Sequence, residues 1–198
     1  MLKEFVYIIL VGIFVENYVL QMTTGICPFL GVSKKFDQAA GMGMAVIFVM
    51  LAATAATWPI QKYVLEELNL EYLQTIVFIL VIAALVQFVE IVLKKFSPAL
   101  YKSLGVYLPF ITTNCSVLGI AIKNIDNGFN FAEAMFSSLG AGIGFLFAMI
   151  LFAGVRSKVD NCNAPKALKG LPVTLIAASI VSMAFYGFAG IIDGMLGM

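Results

Sequence analysis

Apolar residues run along this chain in six blocks, at roughly 5–33, 40–61, 72–93, 104–122, 131–155 and 171–195, with most charges between them. A helix needs about 20 apolar residues to cross a bilayer, so each block is long enough to span one. The first block is too long for one simple helix. Within it stands "TTGICPFLGVSKK", residues 23 to 35, where small polar residues and a Cys-Pro pair interrupt the apolar run. The pattern predicts an all-α integral membrane protein with six spans, the first of them interrupted.

Composition supports lipid as the solvent. The 198 residues are 62% hydrophobic and only 12% charged, without a histidine, whereas soluble domains run near half apolar and a quarter charged. A formal net charge of +1 gives no global field to attract nucleic acid. Three cysteines, Cys27, Cys115 and Cys162, exclude a disulfide-rich secreted fold. The first apolar run carries Glu16 and Asn17 and is not followed by a small-residue cleavage site, so the N-terminus reads as mature sequence.

The distribution of basic residues orients the spans. Nine lie on the side opposite the N-terminus (Lys34, Lys35, Lys94, Lys95, Lys102, Arg156, Lys158, Lys166, Lys169), against three on its own side (Lys3, Lys62, Lys123). The positive-inside rule then puts the richer side in the cytoplasm and both termini outside it.

A short repeat divides the chain. "TGICPFLGV" from Thr24 and "TTNCSVLGI" from Thr112 align Thr24 with Thr112, Cys27 with Cys115, Leu30 with Leu118, Gly31 with Gly119 and Lys35 with Lys123, all at an offset of 88. Each copy lies in the first span of a three-span half, 1–96 and 97–198. Three is odd, so the halves insert in opposite senses, as two inverted repeats. Each cysteine precedes its lysine by eight residues, a helical rise of about 12 Å, against a half-core of about 15 Å. With the lysines at opposite interfaces, both sulfurs fall near the midplane.

The local chemistry predicts breaks in the first and fourth spans. A residue before proline is pushed from the α region, which puts Cys27 at the interruption and Pro28 at the first position of a new helix. In the second copy, Thr112, Thr113 and Asn114 are capping types. Half-helix N-termini would then favour negative charge at the sulfurs. Cysteine also serves as a small packing hydrophobe, but matched positions at two breaks favour a functional pair. A redox disulfide and a metal half-site both remain open. In the second case two thiolates are half of a four-ligand set, and a partner would supply the rest. Glu16 and Asn17, inside the first span, are either part of an ion route or a helix–helix hydrogen bond. The glycines of "GMGM" and "GAGIG" read as close helix packing. Cys162, without a counterpart in the repeat, reads as an ordinary thiol.

The stretches "GICPFLGVSKK", "GMGMAV", "LVQFVE", "SPALYKSLGVYLP" and "ITTNCSVLG" resemble the membrane-subunit family shared by the Rnf complex and the sodium-pumping NADH:quinone oxidoreductase. The likeness covers nearly the whole chain, with wording that leans toward Rnf. The resemblance implies six transmembrane helices with the first and fourth broken. It implies a homologous, oppositely inserted partner such as the E-type subunit of Rnf, and a [2Fe–2S] cluster shared between them, its ligands here falling on Cys27 and Cys115. The implied reaction is electron transfer between ferredoxin and NAD, coupled to Na⁺ or H⁺ movement in a prokaryotic cytoplasmic membrane. Ferredoxin and NAD would be met only by other subunits, since the chain has neither a phosphate-binding loop nor a flavin-attachment motif. The equivalent subunit of the quinone reductase, and a non-redox channel or transporter, are the alternatives.

Overall fold

The computed structural model describes residues 8–9, 11–15, 17–32, 36–65, 71–96, 114–159, 165 and 170–196. These residues are helices and their connections. After a π-helical turn at Val11–Val15 come α1 (Ile26–Val32) and α2 (Phe36–Ile60), which continues through a π-helical turn at Gln61–Leu65. A 3₁₀ turn at Glu71–Leu73 leads into α3 (Gln74–Phe96). Then follow α4 (Cys115–Asp126), α5 (Phe131–Val159) and α6 (Leu171–Leu196). Among the described residues, Gln38–Leu65, Gln74–Ile91 and Phe131–Val159 are long and apolar enough to cross a membrane. Four of the six expected blocks thus correspond to α2, α3, α5 and α6. Most of 104–122 lies outside the described residues, as do Glu16, Thr112, Thr113 and Cys162.

The core lies between α2 and α5, the most extensively paired helices. Met42, Val46, Val49, Met50 and Ala53 of α2 pack with Ala141, Phe145, Ala148, Met149 and Phe152 of α5. Small residues let the backbones close up. A Cβ on Gly142 would meet Ile47 Cγ1 at 2.9 Å, and one on Gly144 would meet the Gly12 carbonyl oxygen at 2.9 Å. Gly140 and Gly144 share one helix face, one turn apart, and Gly142 lies on the other. The "GAGIG" stretch thus holds the first segment on one side and α2 on the other, which is the packing role its sequence suggested.

The outer helices bury one stripe each. Phe78, Ile82 and Val86 of α3 turn inward, while Ile76, Ile79, Leu80, Phe88 and Ile91 stay exposed. On α6, Leu175, Ile176, Ile180 and Met183 are exposed too. An apolar surface of this extent on long apolar helices fits lipid or a neighbouring protein, not water.

The α4–α5 connection is fixed by local signals. Gly128, at φ 65°, lets Phe129 N–H bond the Asn124 carbonyl (3.1 Å) and Gly128 N–H bond that of Ile125 (2.8 Å), closing α4. Asn130 then starts α5, its N–H donating to Glu133 Oε2 at 3.0 Å, the return arm of a capping box.

Candidate functional site

The first span leaves helical geometry between Asn17 and Gly25. Asn17 organises the departure. Its Oδ1 accepts from the N–H groups of Val19 (3.1 Å) and Leu20 (3.3 Å), and its Nδ2 donates to the carbonyls of Gly144 (3.0 Å) and Ile13 (3.4 Å). All four hydrogen-bonding positions of this fully buried amide are engaged. One turn later Thr24 bonds the Tyr18 carbonyl through both its N–H (2.9 Å) and its hydroxyl (2.7 Å). Ser182 of α6 donates to the Leu20 carbonyl. Much of the irregular backbone is therefore satisfied from within the protein, as non-helical backbone away from water requires.

Thr23 (φ 53°) and Gly25 (φ 83°) turn the chain into α1. The break lies earlier than the Cys-Pro pair implied. Cys27 is the second residue of α1 and Pro28 the third, not the first. The reason is that no N–H in the first helical turn has an intrahelical acceptor, so proline is harmless anywhere in it. The bias on the preceding residue is a preference that packing overrides.

The second cysteine opens α4. Asn114, at φ −73° and ψ 109°, is its N-cap, with Oδ1 accepting from Ser116 N–H at 3.0 Å. The structure brings the two cysteine segments together: Gly25 N–H donates to Cys115 Sγ at 2.9 Å. Gly25 immediately precedes α1 and lies two residues before Cys27. Its packing is tight, since a Cβ there would meet Phe145 Cε2 at 2.9 Å and collide with the Ser116 hydroxyl. Glycine alone serves both the positive φ and the close approach.

Cys27 and Cys115 are free thiols, both exposed on the chain's surface, and Met22 and Ile26, which precede Cys27, are exposed too. Among the described residues no carboxylate joins the two thiols to make a three-ligand group. The donor set is thus two sulfurs, one already accepting a backbone N–H, each in the first turn of a helix and open to the outside of the chain. That arrangement fits half of a four-thiolate iron–sulfur site. The other half would have to come from a neighbouring protein.

Arg156 is a residue that sequence reasoning placed at the membrane surface. It is only 6% exposed, and its Nη1 donates to the Leu30 carbonyl in the last turn of α1. A cation there complements the helix end and ties α1, with Cys27, to α5. The position of Arg156 near the end of a long apolar helix was visible; its reach to residue 30 was not.

Helices that bury a packed core yet leave long apolar stripes outside define an integral membrane protein of the helical class. Over residues 5–192 the chain matches the Rnf-Nqr subunit family of membrane proteins, and it belongs to that family. Its similar relatives carry the A designation within their complexes. The chain is 54% identical over 185 residues, 93% of its length and 96% of the relative's, to the A-type subunit of the Na⁺-translocating ferredoxin:NAD⁺ oxidoreductase complex of Acetobacterium woodii. It is 49% identical over 193 residues, 98% of its length and 100% of the relative's, to the A-type subunit of the ion-translocating oxidoreductase complex of Syntrophotalea carbinolica. With the corresponding protein of Vibrio vulnificus the identity is 44% over 191 residues, covering 96% and 100%.

Proposed function

We propose that this chain is the A-type subunit of an ion-translocating ferredoxin:NAD⁺ oxidoreductase, an Rnf complex, in a prokaryotic cytoplasmic membrane. Near full-length similarity to proteins of that name supports the complex. The observation that carries the chain's role within it is the contact of Gly25 N–H with Cys115 Sγ, which joins two cysteine-bearing helix starts at one point on the surface.

In this reading the chain is two inverted three-helix repeats, 1–96 and 97–198, with the first and fourth spans broken near the midplane and both termini extracytoplasmic. Cys27 and Cys115 hold one side of a [2Fe–2S] cluster, and a homologous, oppositely inserted protein of the E type holds the other. Bound there, the cluster supplies a one-electron carrier in the middle of the membrane. The chain's own groups do the rest. Gly25 N–H and the N-terminus of α4 favour negative charge on sulfur in a low-dielectric setting. Asn17, Thr24 and Arg156 hold the bent backbone that presents Cys27. The apolar rim at Met22 and Ile26 seats the partner and excludes water. Asn114, with Thr112 and Thr113 before it, starts the second half-helix. Glu16 remains a candidate for the ion route. The chain holds neither flavin nor nucleotide; ferredoxin and NAD meet other subunits.

Iron and acid-labile sulfide analysis with EPR on the co-purified pair tests this. Equal iron and sulfide and a reducible paramagnetic signal, both lost in Cys115→Ser, are expected. A colourless pair, or a cysteine-free variant that sustains electron transfer and ion flux, would refute it in favour of a non-redox transporter.

A further inference from the structure

The turn before α1 sets a backbone donor on the sulfur of the other cysteine segment. Gly25 N–H reaches Cys115 Sγ at 2.9 Å, across 90 positions of sequence. Gly25 immediately precedes Ile26, the first residue of α1, so no carbonyl within that helix competes for its N–H. The chain is anchored on both sides of this donor. Thr24 bonds the Tyr18 carbonyl through its N–H (2.9 Å) and its hydroxyl (2.7 Å). The Gly25 carbonyl accepts from Phe29 N–H at 3.2 Å, the first turn of α1.

The walls around Gly25 hold it as well. At its φ of 83°, a Cβ would collide with the Ser116 hydroxyl, meet Phe145 Cε2 at 2.9 Å and come within 3.3 Å of Asn114 Oδ1. Asn114 and Ser116 flank Cys115 and are 3% and 0% exposed. Gly25 therefore lies directly against the segment that carries the sulfur, with no room for a side chain. The two copies of the repeat differ here. Cys27 is the second residue of α1, whereas Cys115 is the first of α4. The position matching Gly25 in the second copy is Thr113, a β-branched residue ill suited to positive φ.

A hydrogen bond donated to a thiolate strengthens as the sulfur gains negative charge. It strengthens further where the dielectric is low. Such a bond favours the reduced state of a metal group bound to that sulfur and raises its potential. We infer that Gly25 is a positioning residue for electron transfer: its N–H, locked against Cys115 Sγ by the turn at Tyr18 and Thr24, raises the reduction potential of the iron–sulfur group the two thiols hold. The inference rests on the proposed function for that group; the donor and its lock belong to this chain alone.

The test uses the co-purified pair with [¹⁵N]glycine incorporated, read by pulsed EPR and by redox titration of the EPR signal. In the parent a glycine nitrogen couples to the reduced cluster. In Gly25→Ala, whose Cβ pushes the amide off the sulfur, that coupling is lost. The reduced-to-oxidised ratio at a fixed potential falls about tenfold, a shift of about 59 mV to lower potential. Thr24→Val, which removes one of the two bonds to Tyr18, lowers the ratio about threefold, and Thr24→Ser restores it. If Gly25→Ala does not take up iron, the Thr24 pair and the parent spectrum decide. With iron and sulfide as in the parent, a ratio within twofold of the parent in every loaded variant overturns the inference alone. So does a parent spectrum without a coupled glycine nitrogen. An iron-free parent pair overturns the proposed function and this inference with it, so the iron content tells the two failures apart.

Discussion

The two ends of α4 teach opposite chemistry within one short helix. At Cys115 the nearest groups give hydrogen: the Gly25 N–H reaches the sulfur, and the buried Asn114 Nδ2 close by has no acceptor among the described residues. At Asn124, nine residues on and about 14 Å away along the axis, the unused group is an acceptor oxygen. The helix dipole has the same sense, positive at the cysteine end and negative at the asparagine end. A single element thus has donors turned toward a sulfur at one end and an acceptor left over at the other, with Val117, Ile120 and Ala121 buried between them.

Four experiments break or sharpen this contrast. The largest effect is expected at the sulfur end. Cys115→Ser should abolish the EPR signal of the co-purified pair and, in the whole complex, ferredoxin:NAD⁺ electron transfer, because the cluster would lose a thiolate ligand. A wild-type signal would remove the anionic half of the comparison. Next comes Gly144→Val, whose Cβ starts 2.9 Å from the Gly12 carbonyl oxygen. Overpacking of this kind costs about 1–3 kcal/mol, read as a lower melting temperature and reduced yield of assembled complex. Both ends of α4 should suffer, because α5 supports both.

Asn17→Ala separates a saturated amide from an unsaturated one. Removing it leaves the Gly144 carbonyl and two turn N–H groups without their partner, at a cost of about 1–3 kcal/mol. Thermal stability should fall, read as a lower melting temperature, and an unchanged melting temperature would mean that the turn holds without this amide. The smallest effect is Glu133→Ala, which removes the capping-box arm to Asn130 N–H and should lower stability by about 0.5–1 kcal/mol. Any larger loss would mean that Glu133 supports more than this one N–H.

Much of this architecture was legible because the signals are local. Long apolar runs with charged ends gave α2, α3, α5 and α6 to within about four residues at each end, since a bilayer dictates their length. The N-cap at Asn114 follows from a side chain acting on its own backbone. The irregular backbone before Cys27 lies elsewhere than the Cys-Pro pair implied. Cys-Pro looked like the breaking point, whereas Asn17, Thr23 and Gly25 do the breaking. Thr23 sits at positive φ only because the Tyr18 carbonyl, the Ser182 hydroxyl and Gly144 fix the turn around it.

By itself, then, the sequence determined the solvent, the helices and the two thiols set in matching motifs, because hydropathy and capping act over a few residues. The tertiary structure decided which groups meet. Gly25 reaches Cys115 across 90 positions, Arg156 reaches Leu30 across 126, and Thr54 reaches Ser138 across 84. Such pairings depend on how helices cross and how closely their glycines let them approach, and no local pattern encodes that.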